Sequence, residues 1–246
     1  MKTILKTCLG CFVFVILIGI ILFVFRTQII STAVNMLGFN KPKDLGIVYT
    51  AEDLKKMDSE LGIEVEKITE ETSISDSLVT SGKKEVDASF SNAEVTAQIN
   101  RWQSYWKYTP FKQVQFKVNP DGTAEASGIL DVNRLEGFIT YFGYSTADLQ
   151  KGLDYINASN MPELPIYIKG TGSVDNNIVN LNFEKVEVYG FTLPADINSA
   201  AETGLEAIGG NVLTKVEGLD VEKIEAKNGE AYFKGTVPET TKSKAE

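Results

Sequence analysis

The stretch Gly170-Thr-Gly-Ser-Val-Asp-Asn-Asn-Ile-Val-Asn-Leu-Asn-Phe183 decides the fold. Asn176-Asn177 suits a type I′ turn, because asparagine tolerates the left-handed backbone both central positions require. A hairpin closed there sets Val174 opposite Val179, Gly172 opposite Leu181 and Gly170 opposite Phe183. The apolar residues of both strands then share one face, as a half-buried sheet demands. Beyond Phe183 the alternation slips, and Val186 and Val188 rejoin that face only if one residue bulges near Glu184-Lys185.

Two more turns repeat the pattern. Asn119-Pro-Asp-Gly122 predicts a type I turn with Gly122 left-handed, pairing Val118 with Ala124, Phe116 with Ala126 and Val114 with Gly128. Asn228-Gly229 is a strong hairpin signal and pairs Ala226 with Ala231 and Ile224 with Phe233. Helical segments separate the hairpins. Ser91-Asn-Ala-Glu94 is a capping box opening a helix to about Gln103, with Val95, Ile99 and Trp102 as its apolar stripe. Asn133-Arg-Leu-Glu136 caps a second, ending near Phe142, and Ser145-Thr-Ala-Asp148 a third, running to about Asn157. Pro194 opens a longer helix to about Val216, weakened by Gly204 and the Gly209-Gly210 pair. The predicted fold class is α+β: a curved antiparallel sheet built from hairpins, helices packed on one face, one N-terminal transmembrane helix ahead of it.

That transmembrane helix is Cys8–Phe25, 18 residues without a charge. At the helical rise it spans roughly 27 Å, about the hydrocarbon thickness of a bilayer. Residues 1–7 form a short basic leader with Lys2 and Lys6, which favours N-inside, C-outside. The competing reading is a signal peptide cleaved after Ala33, but the run exceeds the usual core length. Cys8 and Cys11 lie within the run and read as small lipid-facing residues. Residues 26–84 are expected to be a stalk and linker with a short helix near 51–61, capped by Thr50-Ala-Glu-Asp53 and closed by Gly62. Residues 85–237 form the extracytoplasmic domain and 238–246 a disordered polar tail.

The chain carries no histidine, and both of its cysteines fall in the apolar run. There is therefore no Ser-His-Asp triad, no imidazole base and no thiol nucleophile or histidine metal site in the outer domain. Gly170-Thr171-Gly172 lies in a strand and opens no helix, so it is not a phosphate loop. Asp131-x-Asn133-x-x-Glu136 lacks calcium-loop spacing, and no cofactor is expected. A carboxylate-based hydrolase is a remote alternative to a non-enzyme. The net charge is −9, and setting aside Lys2, Lys6 and Arg26 leaves 21 cations against 33 acids, or −12, outside. Such a domain repels nucleic acid and does not adhere broadly to anionic lipid.

The inward sheet face sets large residues against very small ones: Phe116 against Ala126, Leu181 against Gly172, Phe183 against Gly170. One reading is packing, with small residues admitting a neighbouring element. The other is an apolar groove for a lipid-like ligand. The groove candidates are Val114, Phe116, Leu181, Phe183, Ile197, Leu205, Ile208 and Phe233. The aromatic stretch Trp102–Phe111 reads either as a core plug or as an exposed interaction patch.

Ser91–Asn100 followed by Val114–Ile129, with its Asn119-Pro-Asp-Gly turn, resembles small single-pass prokaryotic surface proteins. These are similar to tubular lipid-binding domains, in which a curved antiparallel sheet wraps a long helix around an apolar groove. The resemblance covers Ser91–Val237, rests on turn and cap motifs, and implies that Asp196–Val216 is that helix. It carries over no catalytic residues. The resulting expectation is a cell-membrane, single-pass protein whose bulk lies outside the cytoplasm and binds an apolar or amphipathic ligand, lipid above all. The alternative is an envelope scaffold or protein-interaction domain with a closed core.

Overall fold

The computed structural model describes residues 41–143, 162–193 and 195–245, without the side chains at 196, 197, 200, 201 and 204. The apolar run 8–25 and the helix expected over 145–157 lie outside these residues. Among the described residues, four helices and eleven strands form: α1 (Ala51–Leu61), β1 (Glu64–Lys67), β2 (Leu78–Ser81), β3 (Lys84–Phe90), α2 (Asn92–Tyr105), β4 (Phe111–Val118), β5 (Ala124–Asp131), α3 (Val132–Tyr141), β6 (Glu163–Asp175), β7 (Ile178–Val188), β8 (Phe191–Thr192), α4 (Ala195–Lys215), β9 (Asp220–Lys227), β10 (Glu230–Val237) and β11 (Thr240–Ser243). The class is α+β with mostly antiparallel pairing. No described helix is long and apolar enough to cross a membrane.

The larger sheet runs β3-β10-β9-β6-β5-β4, with β7 on β6 and β8 on β7. The long β6 is its pivot. One edge takes β5 over residues 163–170 and then β9 at Val174 and Asp175, while the opposite edge takes β7. Because β5 and β9 share one edge of β6, β4 on β5 comes against β10 on β9, and α2 touches both.

The turns act as their chemistry requires. Asn176 and Asn177 sit at φ 48° and 63°, Asn228 and Gly229 at 53° and 81°, and Gly122 at 85°. The pairs Val174–Val179, Gly172–Leu181, Gly170–Phe183, Ala226–Ala231, Ile224–Phe233, Val118–Ala124 and Phe116–Ala126 all form. The bulge falls at Glu184, between the Gly170–Phe183 and Lys169–Lys185 pairs. The expected Val114–Gly128 pair does not form. Gln113 turns left-handed at φ 50° and the register shifts between Lys112 and Gln115, because Val114 must face a helix (below).

Three segments differ from expectation. The tail 238–246 holds β11, the central strand of a second sheet ordered β1-β11-β2, parallel to β1 and antiparallel to β2. Its Thr241 and Ser243 are wholly buried, so a polar composition alone did not mark it as exposed. The described part of the linker, 41–84, belongs to the domain: Met57, Leu61 and Leu78 join the main core cluster. Asn133 is not an N-cap; Asp131 caps α3 by accepting from Asn133 N–H at 3.1 Å. The caps at Thr50 and Ser91 are full capping boxes, as expected.

Of the helices, α2 lies along β4 and α4 along β7. The aromatic stretch is a core plug: Trp102, Trp106 and Phe111 are buried. Trp106 stacks edge-on against Tyr108, Tyr141 and Phe142, and its indole N–H donates to Ser77 Oγ at 3.0 Å.

Candidate functional site

The candidate groove residues separate into two groups. Phe116, Leu181 and Phe183 converge, with Ala124, Ala126, Ile168, Gly170 and Gly172, around one apolar cavity of about 20 Å³. That is room for about one water molecule; drug-sized ligands occupy pockets of roughly 300–1,000 Å³. Val114, Leu205 and Phe233 are core residues away from it, Ile208 packs against the core from its rim, and the Ile197 side chain is outside the description. Gly170 is explained by packing. A Cβ there would lie 2.2 Å from the Asn182 carbonyl oxygen, so the bulged partner strand requires a residue without one.

A wider cleft, about 320 Å³, opens on the outer face between Lys41–Lys43 and Pro165, Tyr167, Glu187 and Gly190. It lies where the described chain begins. Lys43 sits over the Tyr167 ring at 3.5 Å, and Leu45 N–H donates to Gln115 Oε1 at 2.7 Å. These contacts fasten the incoming segment across the sheet. Tyr167 donates to Glu125 at 2.7 Å; burial, then that carboxylate, pushes its phenol up.

The most specific chemistry lies at the sheet edges, on residues the sequence reading left out. On α2, Asn92, Thr96 and Asn100 recur every fourth position. Each answers one residue of β4. Asn92 Oδ1 accepts from Val118 N–H at 2.8 Å and its amide donates to Val118 O at 3.4 Å. Thr96 Oγ1 accepts from Phe116 N–H at 3.0 Å and donates to Phe116 O at 3.3 Å. Asn100 Oδ1 accepts from Val114 N–H at 2.9 Å and its amide donates to Val114 O at 2.7 Å. Four helical residues advance about 6 Å and two strand residues about 6.8 Å, so the periods match. The helix thus behaves as a surrogate strand. This is what pulls Val114 out of its expected pairing.

At the other edge α4 repeats the spacing with different chemistry. Glu202 Oε1 accepts from Phe183 N–H at 2.5 Å and Glu206 Oε1 from Leu181 N–H at 3.0 Å. These two residues answer the edge as acceptors, where the α2 side chains both accept and donate.

Several other charged groups are committed to structure. Lys112 bridges Asp131 at 2.6 Å and Glu163 at 2.9 Å. Burial opposes the Lys112 charge, but the two carboxylates outweigh it and its pKa is raised. Glu94, nearly buried, takes Ser91 N–H at 2.6 Å and Lys56 at 2.7 Å, joining α1 to α2. Lys244, after β11, donates to the Thr69 and Glu70 carbonyls at 3.1 and 2.8 Å. Among the described residues no group of acidic, histidine or cysteine side chains could hold a metal ion.

Comparison with known proteins returns no matching family model, no matching curated protein and no matching solved structure.

Proposed function

We propose that the chain is a membrane-tethered extracytoplasmic interaction domain, a scaffold with a closed core, and that its partner is a protein of the same envelope. The observation that carries this reading is the cavity of about 20 Å³ where the sequence placed a ligand groove. An acyl chain of ten or more carbons does not fit beside one water's worth of space. The tether is the apolar run Cys8–Phe25, and the fastening of residues 43–47 to the sheet then limits how far the domain can swing from it. Crosslinking in cells, followed by isolation of the full chain, is expected to yield one discrete protein adduct. Native mass spectrometry of gently extracted protein is expected to show the bare chain mass. A stoichiometric lipid adduct with no protein adduct would overturn the reading.

Lipid binding is the second reading, favoured by the apolar lining of that cavity and its glycine and alanine floor. It requires the cavity to widen. The same mass spectrum tests it, with a resolved lipid mass as its expected outcome.

A further inference from the structure

The outer face of the sheet carries a row of side chains that the core does not explain. In register, Gln115 on β4 stands beside Ser127 on β5, Ser127 beside Tyr167 on β6, and Tyr167 beside Glu187 on β7. By strand alternation these four face away from Phe116, Ala126 and Ile168, which line the inner cavity. Such an outer face ordinarily meets water, yet Ser127 is wholly buried and Tyr167 nearly so.

Residues 43–47 lie along that row. Leu45 and Ile47 N–H both donate to Gln115 Oε1, at 2.7 and 3.3 Å. At the other end Lys43 sits over the Tyr167 ring, with Glu187 4.0 Å from its ammonium. Three strand spacings make the row about 14 Å long, and four residues of extended chain reach about 13 Å. The segment is a strap laid across the strands, between the N-terminal apolar run and α1.

The strap is lightly held. One side-chain oxygen of Gln115 serves both of its N–H groups, and Lys43 is half-exposed, so its contacts are of the kind that water and salt weaken. Pro42, Leu45 and Ile47 are only half-buried, and none of them belongs to the core cluster. The seat is also imperfect. The buried Ser127 hydroxyl has no partner among the described residues, a cost that lifting the strap removes by admitting water. The cleft of about 320 Å³ beside Lys41–Lys43 opens the row to solvent at the Tyr167–Glu187 end, where a lift begins.

We propose that residues 43–47 are a releasable strap. Lifting it from the Gln115–Ser127–Tyr167–Glu187 row bares Tyr167 and frees residues 43–50, up to about 27 Å of chain, to lengthen the tether ahead of α1. The added reach rests on the membrane-tether reading above; the release itself does not.

Hydrogen exchange and tyrosine iodination of the detergent-solubilised full chain, mapped by mass spectrometry, test it. The Leu45 and Ile47 amides are expected to exchange about tenfold or more faster than those of Phe116 and Val118, which α2 holds. Tyr167 is expected to take iodine in the folded protein, while Tyr141, buried in the core, stays unmodified. Gln115→Ala removes the fastening and is expected to speed iodination of Tyr167 about fivefold; Ser127→Ala relieves the stranded hydroxyl and is expected to slow it about fivefold. Both variants should leave exchange at Phe116 and Val118 unchanged, which shows that the domain stays folded. Leu45 and Ile47 amides as slow as those two make the strap a fixed part of the sheet and overturn the proposal. Fast amides with Tyr167 iodination unmoved by Gln115→Ala reduce the motion to local fraying and overturn the release. Iodination as fast in Ser127→Ala as in the parent overturns the row as the strap's seat. Recovery of the chain in the soluble fraction of lysed cells overturns the tether and with it only the added reach.

Discussion

Thr96→Val isolates the surrogate-strand interaction. Thr96 is wholly buried, and its hydroxyl both accepts from Phe116 N–H and donates to Phe116 O. Valine has nearly the same shape, so the change preserves packing and removes the polar exchange. A stranded buried N–H costs about 1–3 kcal/mol, and the stranded carbonyl adds to it. The methyl gained returns about 0.8 kcal/mol. The expected loss is about 2–3 kcal/mol, or roughly 4–12 °C in Tm for a domain of this size. Thr96→Ser keeps the hydroxyl and deletes a methyl, which costs about 1 kcal/mol. Urea unfolding followed by the fluorescence of buried Trp102 and Trp106 measures both, with the slope expected to stay unchanged. The polar change should therefore cost more than the volume change. If T96V is as stable as the parent, or T96S is the worse of the two, the ladder is not what holds α2 to β4.

Thr241→Val is expected to stabilise by about 1 kcal/mol in the same urea assay, since the buried Thr241 hydroxyl has no partner to lose. Truncation after Val237 removes the central strand of the smaller sheet, and limited proteolysis is expected to cut within residues 62–81 faster than in the parent. Alkaline titration reports on Tyr189, whose phenol burial, then the Glu163 charge, push up to about 12. A folded pKa above the unfolded one adds stability that is full below about pH 10 and lost as pH rises toward 12. Absorbance of tyrosinate is expected to show this residue ionising with unfolding; reversible ionisation near pH 10 in the folded protein would refute its burial.

The hairpins were legible because their determinants are local. Asn176-Asn177, Asn228-Gly229 and Asn119–Gly122 set turn geometry within a few residues, and side-chain alternation carries the register outward. Even the Glu184 bulge could be found, since a slipped period needs no knowledge of distant partners. The Val114 register failed for the opposite reason: its partner, Asn100, belongs to a helix. β11 failed similarly. Four polar residues, Thr240-Thr-Lys-Ser243, show no apolar alternation, and only the slot between β1 and β2 makes them a strand. In the candidate groove, Phe116, Leu181 and Phe183 did come together, yet the sequence could not give the distance that decides between packing and pocket. The Cβ position at Gly170 supplies it.

The signal for the edge-capping residues was nonetheless present. Asn92, Thr96 and Asn100 place polar groups at intervals of four on a helix whose neighbouring Val95, Ile99 and Trp102 are buried. A polar stripe beside an apolar one ordinarily faces water. Here three side chains that both donate and accept follow a spacing that two strand residues can match, whereas Glu202 and Glu206 follow the same spacing with acceptors alone. Two chemistries thus answer two sheet edges on one helical spacing. An amide or hydroxyl replaces what a neighbouring strand would offer; a carboxylate replaces half of it. Exposed strand edges recruit other chains unless blocked. At β4 the α2 side chains meet that hazard with both halves of the exchange, and at β7 Glu202 and Glu206 meet it through the N–H groups of Phe183 and Leu181.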